Sequence, residues 1–357
     1  MQAFTYQGNP TRVVFGFGAL QRLGDEIERL GARRALVLST PEQAGSAERV
    51  AGLLGPRAAG VFARAVMHVP IETARAARDE ARRLGADCAV AIGGGSTTGL
   101  GKAIALDSGL PILAIPTTYA GSEMTSIYGV TEGGVKKTGR DARVRPRTAL
   151  YDPELTLSLP QALTITSALN AIAHAAEGLY AHDGNPVTAL MAEEGVRACA
   201  AALPVLTADP ADRTARADLL YGAWLCGTVL DAVAMGLHHK LCHTLGGTFN
   251  LPHAETHTVV LPHAMAYNAP FARAEMARVA RALGAPGGAD AAPRALFDLA
   301  SHLGAPTSLR ALGMPEAGIE RAAELAVAHP YPNPRPLERD ALCSLLRRAW
   351  EGQPPQA

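Results

Sequence analysis

The stretch CAVAIGGGSTTGLGKAIAL, residues 88–106, joins an apolar run, a glycine-rich turn and a helix-like segment without a break. The run 88–92 is short and wholly apolar, which is typical of a buried strand. The glycines at 93–95 let the backbone approach an anion closely, and the helix-like segment 100–106 that follows supplies free N–H groups at its N-terminus. A glycine-rich turn without a ligand is the alternative, but the order of strand, glycines and helix favours a site for the pyrophosphate of a dinucleotide.

The first half of the chain alternates strand-like and helix-like segments around this unit. Apolar runs that predict strands occupy 34–39, 61–66, 88–92 and 113–115, and helical patterns occupy 46–55 and 71–84. Strands that alternate with helices indicate a parallel sheet built from right-handed crossovers. We therefore predict an α/β, Rossmann-like dinucleotide-binding domain over residues 1–159.

The second half has a different texture, because β-branched runs become scarce after Pro160. Stretches rich in alanine and leucine predict helices at 161–181, 186–204 and 211–235. We place a domain boundary at 158–160 and predict an all-helical domain over residues 160–357. Within it, the glycine- and proline-rich segment 284–293 is predicted to be a loop.

Two further strand ends suit a bound nucleotide. Thr117 and Thr118 follow the predicted strand 113–115, at an edge where a sheet crevice would lie. Ser39 and Thr40 end the first of these strands, where an acidic residue would bind the ribose hydroxyls and repel a 2′-phosphate. Neither residue is acidic, so we expect the cofactor to be NADH or NADPH, with weak discrimination between them. The predicted cofactor-binding residues are Ser39, Thr40, Gly93, Gly94, Gly95, Ser96, Thr117, Thr118 and Ser122.

The bulk composition argues against several classes of protein. The chain has 33 basic and 33 acidic side chains, so it carries no electrostatic footprint for nucleic acid or an anionic membrane. No apolar run reaches the roughly 18 residues of a membrane span, and the first residues lack a signal-peptide pattern. The five cysteines form no CxxC motif, so neither a disulfide framework nor a thiolate metal site is indicated. We expect a cytoplasmic enzyme with no nucleic-acid or membrane partner.

Histidines cluster in the second half in a pattern that suggests a site. Six of the 11 histidines fall within 26 residues of one another. Asn170 and His174 are one helical turn apart, as are His239 and His243, so each pair can point its side chains in one direction. With His253 in a third segment, imidazoles and an amide could converge on one pocket.

Two chemistries fit this cluster. His174, His239 and His253 could hold a metal with Asn170 as a fourth donor, although a hard divalent cation prefers a carboxylate to an amide. The lost negative charge should weaken Fe²⁺ or Zn²⁺ binding by a few kcal/mol. The alternative is a metal-free site in which imidazoles donate protons and orient carboxylates. We favour the metal-free site, and chance clustering is a third interpretation.

Several longer motifs together make the chain similar to a known family. They are GGGSTTGLGKAIAL (93–106), AIPTTYAGSEMT (114–125), TGRD (138–141), YDPELTLSLP (151–160), NAIAHAAEGLYA (170–181), LYGAWLCG (220–227), HHKLCHTLGGTFNLPHAETHTVVLPHAMAYN (238–268) and NPRP (333–336). On these motifs the chain resembles the iron-containing alcohol dehydrogenases, and within them the maleylacetate reductases, over nearly its whole length. The resemblance implies a dehydroquinate synthase-like fold: a dinucleotide-binding α/β domain, a C-terminal helical domain, and an active site in the cleft between them.

The resemblance also assigns roles to the histidines. The family's metal-binding carboxylate falls on Asn170, and its three ligand histidines fall on His174, His239 and His253. Its histidine near the nicotinamide falls on His243. An asparagine at the acidic position resembles the maleylacetate reductases and argues against an iron or zinc requirement.

At four positions the chain departs from its relatives. Lys240 stands where metal alcohol dehydrogenases tend to carry glycine, and it either binds an anionic substrate or lies in solvent. Ser126 and Tyr128 stand where proline and tryptophan are expected, and Ala168 stands where glycine is usual. Because residues 126–128 could line the pocket, these changes leave the identity of the substrate open.

The resemblance implies NAD(P)H-dependent reduction of the conjugated C=C bond of maleylacetate to 3-oxoadipate, in the degradation of aromatic compounds, by a homodimer. The alternatives are a metal-dependent alcohol or oxo-acid dehydrogenase, a diverged reductase of another unsaturated oxo acid, and a nucleotide-binding protein without turnover. The predicted catalytic residues are His243, His253 and His239. The predicted substrate-binding residues are Asn170, His174, Lys240, Tyr119 and Arg140.

Overall fold

A computed structural model describes residues 3–133 and 135–356 of the chain. These residues form two compact units. One spans Gly8–Leu159, and the other begins at Pro160 and takes in the N-terminal residues before Gly8. Each unit is built around its own secondary structure and is described by itself.

The first unit is an α/β domain. Its strands are β1 Arg12–Phe15, β2 Ala35–Leu38, β3 Ala58–Phe62, β4 Cys88–Gly93, β5 Ile112–Pro116, β6 Ile127–Glu132, β7 Val135–Arg140 and β8 Thr148–Tyr151. Its helices are α1 Leu23–Arg29, α2 Ala44–Leu54, α3 Ile71–Arg83 and α4 Gly95–Ser108. The six strands other than β6 and β7 form one sheet in the order β1-β8-β5-β4-β2-β3. Every pair in it is parallel, which confirms the predicted sheet.

Helices cover both faces of this sheet because the strands are apolar on both sides. Val37 points into one core layer with Ile27 of α1 and Val50 of α2. Its neighbour Leu36 points into the opposite layer with Ile104 of α4 and the alanines of α3. Side chains alternate between faces along a strand, so a strand buried on both faces reads as a continuous apolar run. That property made the strands around residue 90 recognisable in the sequence.

Two features of this unit differ from the prediction. The strand expected over 61–66 is Ala58–Phe62, because Phe62 pairs with Leu38, the last residue of its only neighbour β2. Beyond Phe62 no partner strand remains to continue the ladder. The antiparallel pair β6 and β7 was not predicted, since its residues alternate weakly and carry many charges.

The second unit is helical. Its helices are α5 Gln161–Leu179, α6 Pro186–Ala208, α7 Arg213–Ala232, α8 Leu237–Phe249, α9 His253–Asn268, α10 Arg273–Ala282, α11 Ala292–His302, α12 Gly318–Ala328 and α13 Arg339–Glu351. They confirm the predicted helical half. The segment predicted to be a loop over 284–293 contains one 3₁₀ turn, Gly288–Ala291, and the start of α11.

Helix α5 lies at the centre of this unit, and every residue from Thr164 to Leu179 is buried. Polar groups on α5 therefore need partners inside the protein. Helix α8 begins after a sharp bend that follows α7. In the described part of the chain no single helix is long and apolar enough to cross a membrane. Helices α7 and α8 together have the length and composition of a membrane span, but the angle between their axes is 93°.

Candidate active site

The carboxyl ends of β2, β4 and β5 meet at one edge of the sheet. Leu38 of β2 pairs with Ala91 of β4, and Gly93 of β4 pairs with Pro116 of β5. From β2 the chain moves outward to β3, and it then returns to place β4 on the other side of β2. The strand order therefore reverses between β2 and β4, and in open α/β sheets ligands bind in the crevice at such a point.

The glycine turn lies at this edge. Gly93 has φ +151°, a backbone conformation that side chains rarely adopt. Its carbonyl accepts a hydrogen bond of 3.0 Å from the amide of Thr117. Helix α4 starts at Gly95 with Gly94 as its N-cap, and no side chain caps its first N–H groups. A helix start with uncapped donors and no bulky side chain is suited to a phosphate.

The other residues predicted to bind a nucleotide flank this turn. Ser39 is fully buried, and its hydroxyl donates to the carbonyl of Thr40. Thr118 packs closely against Gly94, because a Cβ atom placed on this glycine would lie 3.0 Å from Thr118 Cγ2. Ser122 accepts two hydrogen bonds from the buried Lys102, whose ammonium also bonds to Thr125 Oγ1 and to a carbonyl oxygen. Thr117 and Thr118 thus contact the glycine turn, and Ser39 follows the end of the neighbouring strand β2.

The two predicted substrate-binding residues of the α/β unit lie in different environments. Tyr119 is fully buried. Arg140 is the last residue of β7 and is exposed. Arg140 is thus exposed to solvent, whereas Tyr119 is not.

In the helical unit, imidazoles from three helices converge. His174 of α5, His239 of α8 and His257 of α9 each offer a ring nitrogen, and these atoms lie within 4.8 Å of one another. All three side chains are buried. Asn170 Oδ1, His174 Nδ1 and His239 Nε2 have no hydrogen-bond partner among the described residues. The structure thus brings together three of the predicted residues and adds His257, to which the sequence analysis gave no role.

The other two predicted histidines lie at the border of this cluster and are exposed. The ring centroid of His253 is 4.1 Å from that of His257. His243 Nδ1 is 3.1 Å from the hydroxyl of Tyr331, and its ring lies 6.0 Å from that of His239. Both rings are therefore accessible to a ligand that approaches the buried imidazoles.

Burial keeps the inner imidazoles neutral. Loss of solvation lowers the pKa of His174, His239 and His257 well below the usual histidine value, and neighbouring imidazoles lower it further. Burial likewise lowers the pKa of His238 to about 4. Partial burial also lowers the pKa of Lys240, whose Nζ lies 5.6 Å from the centre of the Tyr331 ring.

Glu177 is a second polar residue of this region, besides His257, to which the sequence analysis gave no role. It is fully buried on α5, one helical turn after His174, and its carboxylate is 2.6 Å from His239 Nδ1. A lone acidic residue in the otherwise uncharged segment 161–181 was a usable signal, because a buried charge needs several partners.

Both halves of the chain match models of one protein family. Residues 10–153 match the model of the iron-containing alcohol dehydrogenases, and residues 164–350 match the C-terminal model of the same family. A maleylacetate reductase from Burkholderia cepacia is 71% identical over 99% of this chain and 100% of its own length.

Two solved structures are similar throughout. A maleylacetate reductase from Agrobacterium tumefaciens is 55% identical with a TM-score of 0.95, covering 99% of this chain and 100% of that one. A putative alcohol dehydrogenase from Ralstonia eutropha is 63% identical with a TM-score of 0.98, and both chains are covered completely. The chain therefore belongs to the iron-containing alcohol dehydrogenase family of oxidoreductases, within the group of maleylacetate reductases.

Proposed function

We propose that the chain catalyses the reaction maleylacetate + NAD(P)H + H⁺ → 3-oxoadipate + NAD(P)⁺. The observation that carries this proposal is the 71% identity to a maleylacetate reductase along 99% of the chain. The neutral, buried imidazoles of the helical unit and the uncapped start of α4 supply the groups that the reaction needs.

The reduced nicotinamide cofactor binds at the carboxyl edge of the sheet. Its pyrophosphate accepts hydrogen bonds from the turn at Gly93–Gly95 and from Ser96, and its adenosine lies towards Ser39 and Thr40. Since neither of these two residues is acidic, the 2′-phosphate of NADPH meets no negative charge at the end of β2.

The substrate is a dianion with a C=C bond conjugated to a ketone. Hydride from the nicotinamide adds to the β-carbon, the π electrons move towards the carbonyl, and negative charge collects on the ketone oxygen as an enolate. A positioned N–H donor stabilises that oxygen, and the enolate is then protonated at carbon. We assign His243 to the orientation of the nicotinamide and of the substrate, and His253 or His239 to the enolate.

The two carboxylates of the substrate require nearby cationic side chains, and the chain as a whole supplies no net positive charge. Lys240 is suited to this role, since its partial burial reduces the solvation that a carboxylate must displace. Arg140 is the second candidate and is exposed. Asn170, His174 and Tyr119 complete the proposed set of substrate-binding residues, with Tyr119 contributing from a fully buried position.

The family name implies a metal, and the inner imidazoles provide a test of fit. Buried, unpartnered nitrogen and oxygen atoms of His174, His239 and Asn170 would suit a divalent ion of borderline softness such as Zn²⁺. Those residues would hold it, and when bound it would polarise the ketone oxygen of the substrate. Because Asn170 adds no negative charge, we propose that activity does not depend on this ion and that imidazole N–H groups stabilise the enolate.

The proposal is tested by following NADH absorbance with maleylacetate before and after exhaustive chelation, with elemental analysis of the protein. We expect NADH to be consumed equally in both cases, and NADPH to be consumed as well. Activity that is lost on chelation and restored by Fe²⁺ or Zn²⁺ would show that the metal is required. A preparation that oxidises small alcohols with NAD⁺ but leaves maleylacetate unchanged would overturn the proposed substrate.

A further inference from the structure

The geometry points to Glu177 as a positioning residue that sets the tautomer of His239 and so determines what its Nε2 can do. This inference rests on the proposed function, because it assumes that His239 faces the reacting substrate. It begins with the contacts of the Glu177 carboxylate, which belongs to the centre of the helical unit.

Glu177 is surrounded by hydrogen-bond donors. Its Oε1 accepts from the amide of His238 at 2.8 Å and from the hydroxyl of Tyr180 at 2.8 Å. Its Oε2 accepts from the amides of Gly236 and His239, at 3.1 and 3.2 Å, and meets His239 Nδ1 at 2.6 Å. Three of these partners are backbone amides, which can only donate, so both carboxylate oxygens act as acceptors here. His239 Nδ1 therefore carries a proton.

A second chain of contacts leads to the same tautomer. His238 Nε2 lies 2.9 Å from the backbone carbonyl of His257. A carbonyl can only accept, so this nitrogen of His238 donates and its Nδ1 keeps a lone pair. His238 Nδ1 lies 3.3 Å from His239 Nδ1. Two lone-pair nitrogens would repel each other there, so the contact again requires the proton to be on His239 Nδ1.

The consequence is a lone pair at His239 Nε2. This atom has no partner among the described residues, and its ring lies 5.1 Å from that of His174 and 5.0 Å from that of His257. A neutral ring with Nδ1 protonated cannot donate from Nε2. Of the two candidates for the proton donor to the enolate, His253 therefore remains, because His239 Nε2 presents a lone pair and no proton.

Glu177 also ties the ring of His239 to the start of its helix. The same carboxylate binds amides at the N-terminus of α8 and the imidazole that projects from its first turn. The ring therefore cannot rotate away without breaking a bond to a group that holds the helix. A carboxylate that only capped the helix would need the backbone bonds alone. The bond to Nδ1 is the feature that separates positioning from capping.

Two variants separate these roles. Glu177→Gln offers one oxygen and one NH₂ to the same donors, so at least one N–H faces another N–H and the bond to Nδ1 loses its charge. Tyr180→Phe removes one donor from Oε1 and leaves the side that faces His239 intact. We expect Glu177→Gln to lower kcat by at least about tenfold, because the ring of His239 loses its fixed tautomer and orientation, with the KM for NADH unchanged. Tyr180→Phe should retain kcat within about threefold.

The tautomer itself is read in the wild-type protein without substrate. Protein labelled with ¹⁵N-histidine gives distinct long-range ¹H–¹⁵N patterns for the two neutral tautomers, and the His239 signal is assigned by its loss in His239→Gln. We expect the Nδ1–H form in the wild-type protein and in Tyr180→Phe.

Three results would overturn the inference: an Nε2–H signal for His239, an unchanged kcat in Glu177→Gln, or equal losses of kcat in the glutamine and phenylalanine variants. Failure of the proposed function is a separate outcome. In that case maleylacetate is not reduced at all, although the NMR signal of His239 still reports its tautomer.

Discussion

Gly93 lies so close to Gln43 that a Cβ atom placed on the glycine would stand 2.7 Å from Gln43 Oε1, and closer still to Thr97 Oγ1. The amide nitrogen of Gln43 in turn donates to Thr117 Oγ1 at 2.8 Å, which joins the segment after β2 to the end of β5. The glycine turn is therefore packed on one side and open on the other. A side chain at this position would have to displace the bond between Gln43 and Thr117.

Gly93→Ala should weaken cofactor binding and destabilise the α/β unit. The alanine must adopt φ near +151° and clashes with Gln43, a strain of about 1–3 kcal/mol. We expect the Kd for NADH, measured by fluorescence titration, to rise at least about tenfold, and the Tm to fall. Gly52→Ala is the matched control, because Gly52 lies in helix α2 with open space around it and alanine favours helix there. An equal Kd in both variants would contradict the proposed role of the turn.

His253→Ala should lower kcat more than any other exposed histidine substitution outside the cofactor site. His253 is exposed beside the buried ring of His257 and is the proposed proton donor to the enolate. Loss of a general acid reduces kcat by about 10²–10⁴-fold. His329→Ala, at an exposed position after α12, is the control and should leave kcat unchanged. Steady-state rates with maleylacetate measure both, and a His253→Ala rate within about threefold of wild type would remove this residue from the mechanism.

Asn170→Asp should create a stronger metal site. The new carboxylate would lie in a buried position close to His174, where Asn170 Oδ1 now has no partner among the described residues. A carboxylate restores the negative charge that divalent ions prefer. We expect the affinity for Co²⁺, followed by its visible absorption, to rise at least about tenfold, while the metal-free variant melts at a lower temperature.

Asn170→Ala is the control for that experiment, since it removes the donor without adding charge. It should bind Co²⁺ no better than the wild-type protein. If Asn170→Asp and Asn170→Ala bound the ion equally well, the side chain at 170 would not belong to the imidazole cluster.

Much of the fold could be predicted from the sequence, because the periodicities that encode it are local. Strands such as Cys88–Gly93 are continuous apolar runs, and α5 shows its apolar pattern over 19 residues. The hairpin of β6 and β7 was missed because exposed, charged strands lack such a pattern. The strand over Ala58–Phe62 was misplaced because its end depends on where its neighbour β2 stops, which is a property of the sheet.

The part of the site that depends only on the spacing of residues along one helix could be predicted from the sequence. Asn170 and His174 share a face of α5, so their proximity follows from helical geometry. Glu177 and His257 acquire their roles from contacts between helices that are far apart in the chain, such as the bond from Glu177 to His239. No local pattern encodes a contact of that kind. The exposure of His253, at the start of α9, likewise depends on how that helix packs.

A substitution at Thr40 should change the preference of the enzyme between NADH and NADPH. Wild-type kcat/KM values for NADH and NADPH are expected to differ by less than about a thousandfold, because the end of β2 carries no acidic residue. Thr40→Asp would place a carboxylate at the end of β2, where we propose that the 2′-phosphate of NADPH binds, and the like charges repel. We expect kcat/KM for NADPH to fall at least about tenfold while that for NADH stays within about threefold. Thr40→Asn, of similar shape but neutral, should not discriminate, and equal losses for both cofactors in Thr40→Asp would place the ribose elsewhere.

Stability should decrease below pH 6.5 because buried histidines are neutral in the folded protein. Burial lowers the pKa of His238 and His263 from 6.5 to about 4. Between these values the unfolded chain binds more protons than the folded one, so the free energy of unfolding falls as the pH falls from 6.5 to 4. Above pH 6.5 these groups are neutral in both states, and their contribution is constant. Each could account for about 3 kcal/mol at the acid end of this window.

His263→Leu tests this with a residue that has no proposed catalytic role. His263 is buried, and its Nε2 has no hydrogen-bond partner among the described residues, so leucine, an apolar side chain of similar size, removes a titrating group without leaving a partner of that nitrogen unpaired. We expect urea midpoints of wild type and variant to converge near neutral pH and to diverge towards acid, where the variant is the more stable. His302→Leu, at an exposed position at the end of α11, should show the wild-type pH dependence. Parallel wild-type and His263→Leu curves across the window would mean that His263 already titrates in the folded protein as it does in the unfolded chain.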